Sequence, residues 1–362
     1  MGFVQSPAGV LGVAFNQDAS FFVVALEKGF RVYNAESPVD SMRREDGQGI
    51  AQVEMLFRCN IFALVGGGAD PQYSPSKVMI WDDHQGSCIG ELSFRSPVRR
   101  VCLRRDRVAV ALEHKALVYN FADLRLLHQI ETIDNAEGLL ALSAGASTVL
   151  ACPGLHKGQV RLELYDLRRT RFVRAHDSGL QKIALSADGS RLATASERGT
   201  LVRIFNTADG APLQELRRGA DAATIFSIAF SPDGTKLAAT SDRGTVHVFG
   251  LRDGAVAPDG AASDSSSGAA PGTKNRTLGT AHKALGVISG FLPRYFNSEW
   301  SALHFRLPQA EAVRPSVVAF APSSDAVYVV THSGAYLRVE LDEANQQCVQ
   351  RAYVKYLEIG ER

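Results

Sequence analysis

Leu216-Arg217-Arg218-Gly219 is the place in this sequence where residue type and spacing converge on a specific chemistry. Two adjacent guanidinium groups offer two planar forks of donors, a geometry suited to phosphate and carboxylate oxygens. On a β-strand, successive side chains point to opposite faces, so each arginine would serve its own pocket. Hydroxyl and basic residues flank the pair on both sides. Thr194, Ser196, Thr200 and Arg203 precede it, with His176 and Lys182 further upstream, and Ser241, Thr245 and His247 follow. Hydroxyls plus cations are what an inositol ring with a phosphate monoester needs. The same hydroxyls could instead satisfy turn backbone, and an arginine pair also suits an acidic or phosphorylated peptide.

Signatures of catalysis do not accompany this cluster. The sequence has no Walker loop, no His-Glu-x-x-His and no Gly-x-Ser-x-Gly. Gly66-Gly67-Gly68 leads into a proline-bearing loop rather than a helix, so it does not read as a dinucleotide fingerprint. The nine histidines are dispersed, without metal-ligand spacing. The expectation is a binding protein, not an enzyme, with no cofactor and no metal.

The elements that must position the arginines are short β-type runs separated by Gly, Asp and Ser turns. Two copies match closely: IALSADGSRLATASERGTLVRIF from Ile183 to Phe205, and IAFSPDGTKLAATSDRGTVHVF from Ile228 to Phe249. Asp188 and Asp233 hold the same place in the two copies, as do Thr200 and Thr245. A repeat of this length with several strands per copy marks a propeller blade. Weaker copies lie at 12–33, about 50–92, about 98–130, about 137–173 and about 315–340. The expected fold is therefore all-β: one seven-bladed β-propeller of WD-repeat type over residues 1–362. Its N-terminal strand is expected to close the last blade and remove the free sheet edges.

Two stretches interrupt the rhythm. One runs from Gly66 through Asp70-Pro71 to Pro75. The longer one, about 252–297, falls within the sixth blade. Its first half is small and polar; its second half carries Leu285, Val287, Ile288, Phe291 and Leu292. Loops this long are usually functional or disordered.

Bulk properties narrow the choice. The chain has 362 residues, 45% of them hydrophobic, and a net charge of +1. That balance gives no global grip on nucleic acid, so anion binding must be local. The five cysteines form no Cys-x-x-Cys pair, which favours core packing in a reducing compartment. No apolar run approaches the ~18 residues of a membrane span, and no signal peptide is visible.

The arginine motif and its flanks resemble the PROPPIN family, the WIPI-type phosphoinositide-binding β-propellers of autophagy. LQELRRG is similar to the family hallmark between the fifth and sixth blades. The resemblance extends to FNQD at Phe15–Asp18, to Ala63–Asp83 and to FLPRYFNSEWS at Phe291–Ser301. It implies one headgroup site at Arg217 with Thr194, Ser196, Thr200, Arg203, His176 and Lys182. A second follows at Arg218 with Ser241, Thr245 and His247. The implied ligands are phosphatidylinositol 3-phosphate and the 3,5-bisphosphate. The blade-six loop, through Leu285, Val287, Ile288, Phe291 and Leu292, would insert into the bilayer. The second-blade loop resembles a compact subgroup in which Asn16 and Asp18 would face a lipid-transfer protein of autophagy. The implied protein is monomeric and cytoplasmic, peripherally attached to preautophagosomal, endosomal or vacuolar membranes.

Overall fold

A computed structural model describes residues 9–45, 47–252 and 298–359. Their strands form seven antiparallel sheets, at residues 10–44, 50–93, 100–131, 141–174, 180–217, 225–306 and 316–355. They are numbered here as blades one to seven. The first strand of every blade touches the first strands of both neighbours, and that of blade one, Val10–Phe15, touches that of blade seven, Ser316–Phe320. These strands therefore ring the axis and the fourth strands lie outside. Each of the seven junctions holds its own apolar cluster.

Alternation along the strands builds these junctions. In blade five Ala193, Ala195, Val202, Ile204 and Leu216 face blade six. The intervening Leu192 and Phe205 face blade four. Cys102 and Cys152 fill the core between blades three and four, whereas Cys88 is exposed. Of the three glycines of the second-blade insertion, Gly66 and Gly67 are packing glycines, whereas Gly68 has a positive φ of 86°. A Cβ on Gly66 would fall 1.7 Å from the Tyr73 carbonyl oxygen, and one on Gly67 would fall 2.4 Å from the Ala51 Cβ.

One expectation is corrected. No N-terminal strand completes blade seven: among the described residues that blade takes all four strands from residues 316–355. The strand Val10–Phe15 instead pairs within blade one. Closure rests on side chains. Phe22 stacks on Tyr33 and Tyr336 at centroid separations of 4.9 and 5.6 Å, and Tyr356 meets Tyr33 edge-on at 5.4 Å. Their polar ends are satisfied, as buried hydroxyls require, those of Tyr33 and Tyr336 across the seam and that of Tyr356 within blade seven. The Tyr33 hydroxyl donates to the Tyr356 carbonyl (3.0 Å), that of Tyr356 to the Thr331 carbonyl (2.8 Å), and that of Tyr336 to the Ala35 carbonyl.

The long insertion falls between the third and fourth strands of blade six, Thr245–Gly250 and Leu303–Arg306. Residues 253–297 lie outside the described residues, and with them Leu285, Val287, Ile288, Phe291 and Leu292. On its return the chain adds Glu299–Trp300 as a fifth strand, parallel to the outer strand Pro212–Arg217 of blade five.

Because Tyr356 is wholly buried at the seam, Tyr356→Ala should cost about 3–5 kcal/mol. Tyr356→Phe, which removes only a hydroxyl, should cost about 1 kcal/mol. Urea unfolding midpoints measure both. Equal midpoints for wild type and Tyr356→Ala would refute the seam as the closing element.

Candidate anion sites on blades five and six

Arg217 ends the outer strand of blade five, with Arg218 next in sequence, and both are buried. They diverge as the alternation rule requires. Arg217 pairs with Leu201, two residues from Arg203, and Arg203 lies opposite both Thr194 and Glu215. Arg217, Arg203 and Thr194 therefore share the face of blade five turned toward blade four. Arg218 is directed the other way. His247 of blade six senses its charge, and the turn carbonyl of Gly199 accepts from its Nε at 2.8 Å.

The first group gathers at the junction of blades four and five. His176 Nε2 lies 3.0 Å from the Thr194 hydroxyl. Arg203 donates through Nε to Glu215 (2.8 Å) and through Nη1 to the Ala175 carbonyl (2.7 Å). Burial, and then the Arg203 charge, hold the His176 imidazole down to about 4. Arg217 donates through Nε to the Ser298 hydroxyl at 2.7 Å. No side-chain hydrogen bond within the described residues engages the hydroxyls of Ser196 and Thr200, although Ser196 is buried. They are therefore not consumed by their turn.

Lys182 does not join this group. It lies on the first strand of blade five, Leu180–Leu185, and its charged neighbours are Glu137 and Arg100. Burial lowers its ammonium pKa. Pairing sets the direction: Lys182 lies opposite Ala195, which faces blade six, not opposite Thr194.

The second group lies between blades five and six. Ser241 and Thr245 flank the blade-six turn, and His247 stands two residues on, all on the face turned to blade five. The Ser241 hydroxyl accepts from the Arg243 backbone N–H at 3.4 Å, and the Thr245 hydroxyl has no partner among the described residues. His247 Nδ1 lies 3.1 Å from the Ser301 hydroxyl, and its ring stacks on His304 at 6.2 Å. Burial, then the charges of Arg218 and His304, hold it down to about 4.

Arg218 spends Nε on Gly199 and Nη2 on the Asp221 carbonyl. Its Nη1 has no partner among the described residues. Burial and the neighbouring Arg243 hold its pKa below the ordinary arginine value, against the pull of Asp242 and Asp221. Two guanidinium groups are thus held together with one donor unused.

Sequence reasoning missed Arg243, Ser298, Ser301 and His304. Arg243 was within reach: Ser241-Asp242-Arg243-Gly244 repeats Ser196-Glu197-Arg198-Gly199 one blade later. The others follow the long insertion, where the repeat gives no register. Asn16 is placed differently from the partner-facing role the resemblance implied. It is buried, and its Nδ2 donates to the Phe57 carbonyl (2.9 Å) and to Ser20 (3.1 Å). Asp18 is part-exposed and pairs with Arg58 at 2.7 Å.

Six four-stranded blades and one five-stranded blade form a propeller that carries basic recesses on two adjacent junctions. The PROPPIN family model matches residues 10–268. Autophagy-related protein 18e of Arabidopsis thaliana is 38% identical over 94% of this chain and 86% of its own length. SVP1-like protein 2 of Pichia angusta is 36% identical over 82% and 81%. Among solved structures, Kluyveromyces lactis Hsv2 superposes with a TM-score of 0.73 over 96% of this chain and 99% of its own, at 22% identity. The chain belongs to the PROPPIN family.

The depressed histidines give a sign-determined pH dependence. His176 and His247 stay neutral when folded until about pH 4 but take up protons near 6.5 when unfolded. Between those values the unfolded chain binds more protons, so stability falls as pH drops through this window. The buried His332, also held down to about 4, adds to the effect. Urea midpoints across that window should decline toward acid, and less steeply in His247→Gln. An unchanged slope in that variant would show that His247 is not held neutral by the fold.

Proposed function

We propose that this chain is a peripheral membrane protein that reads phosphoinositide headgroups, namely phosphatidylinositol 3-phosphate and the 3,5-bisphosphate. On marked membranes it acts as a recruitment scaffold in autophagy or in endosomal and vacuolar traffic. The observation that carries this reading is the buried Arg218 beside Arg243, with an unused Nη1 and the unpartnered Thr245 hydroxyl across the same junction. Burying a cation without its full set of partners is costly. A phosphate monoester supplies the missing acceptors, and the inositol hydroxyls match Ser241 and Thr245. Family membership supports the same reading, as does the autophagy-related name of the Arabidopsis relative.

Two sites on neighbouring junctions make the second headgroup contact effectively intramolecular. Neither site need be tight, and attachment stays reversible. The apolar residues Leu285, Val287, Ile288, Phe291 and Leu292 of the blade-six insertion add a bilayer contact. The remaining blades are left for protein partners, among them a lipid-transfer protein of autophagy. A related propeller, KlAtg21, is solved in complex with the coiled-coil of AgAtg16, which supports a scaffold role.

Arg217→Thr/Arg218→Thr should lose vesicle binding by at least about tenfold, or ~1.4 kcal/mol, while keeping the β-sheet circular dichroism of wild type. Arg243→Ala should weaken binding less, acting on the second site alone. Co-sedimentation with vesicles containing or lacking phosphatidylinositol 3-phosphate measures both. Soluble inositol 1,3-bisphosphate should compete. Undiminished binding by the double variant, or competition by an acidic phosphopeptide alone, would overturn the lipid reading.

A further inference from the structure

Trp300 is 56% exposed, in a chain with two tryptophans. Its surroundings make that exposure informative. The backbone of Glu299–Trp300 is hydrogen-bonded in parallel register beside Leu216–Arg217. One step before it, the Ser298 hydroxyl accepts from Arg217 at 2.7 Å. One step after it, the Ser301 hydroxyl lies 3.1 Å from His247 Nδ1. The run 298–301 thus passes from one candidate anion site to the other, and the exposed indole stands on the rim between them.

The base of the indole is held firmly. Gln214 Nε2 donates to Glu299 Oε2 (2.9 Å) and to the Gly250 carbonyl (3.1 Å), and Arg252 pairs with Glu299 at 3.1 Å. A fixed backbone that carries a large amphipathic ring with more than half its surface in water gains nothing for the fold from that exposed part. An indole has an apolar body and one N–H donor, and such rings settle at the boundary between lipid headgroups and acyl chains.

We infer that Trp300 is an interfacial membrane anchor. It enters the headgroup boundary of the same bilayer whose phosphates occupy the Arg217 and Arg218 sites, so this inference rests on the function proposed above. Because it belongs to the folded rim, Trp300 needs no ordering when it engages, in contrast to a long loop.

Trp81→Phe leaves Trp300 as the sole tryptophan, and its emission reports on this residue directly. The experiment uses phosphatidylcholine vesicles with or without phosphatidylinositol 3-phosphate, some carrying brominated acyl chains. With the marked vesicles, Trp300 emission should shift to the blue and be quenched by bromine. Soluble inositol 1,3-bisphosphate alone should leave it unshifted. Trp300→Ala should weaken co-sedimentation by about tenfold, and Trp300→Phe by less. Sedimentation with marked vesicles without shift or quenching would overturn the anchor while leaving the headgroup reading intact. A shift with the soluble headgroup alone would also overturn it. Failure to sediment with marked vesicles at all would remove the headgroup reading, and the anchor with it.

Discussion

The seam between blades one and seven is the contact on which the rest of the molecule depends. A ring of seven sheets holds its blades at fixed angles only while it is closed. Among the described residues, neither end lends a strand to the blade at the other. Stacked and edge-on rings of Phe22, Tyr33, Tyr336 and Tyr356 do the work, and the hydroxyls of Tyr33 and Tyr336 are tied to backbone carbonyls across the gap. Apolar area gives such a seam its strength and the hydroxyls give it register. The candidate sites are far from it in sequence yet depend on it, because each is made by two blades and exists only at a set inter-blade angle.

Within that frame, the two arginines show how a fold prepares cations for a ligand. Arg203 is a structural arginine: Glu215 balances its charge and Ala175 uses another donor. Arg218 is treated otherwise. It is buried, its donors meet carbonyls rather than a carboxylate, and a second guanidinium is its neighbour. Carbonyls orient a guanidinium without neutralising it. The neighbouring His247 is kept neutral first by burial, so it adds no positive charge there at neutral pH. An anion arriving there would relieve the repulsion and draw the His247 pKa back up, which links its binding to proton uptake.

Much of this was legible in the sequence, for physical reasons. Turn aspartates such as Asp188 and Asp233 recur because each accepts from a serine hydroxyl at the head of its hairpin, so the repeat could be counted. The divergence of Arg217 and Arg218 follows from strand geometry alone. What could not be read depends on neighbours far away in sequence. Ring closure by aromatics leaves no periodic trace. Lys182 sits one residue from the expected face, because a register shift between Leu180 and Lys182 changes the count. Ser298, Ser301 and His304 reach the sites only because the chain returns across blade five after a long excursion.

That return path also bears on how loop and rim could act together. Gln214, on the outer strand of blade five, holds the Gly250 carbonyl before the insertion and Glu299 after it, and its own carbonyl oxygen accepts from the Arg252 backbone. One side chain therefore binds the chain on both sides of residues 253–297 and fastens it to the strand that ends in Arg217. A load on the insertion would be borne by the strand Pro212–Arg217 rather than by blade six alone. Arg218 and the start of the insertion at residue 253 are 35 residues apart in sequence, yet the described chain on both sides of the insertion is held to the strand that ends in Arg217. Contacts at the motif and at the two described flanks of the insertion would then bear on one strand, and attachments joined in one molecule act together more strongly than each alone.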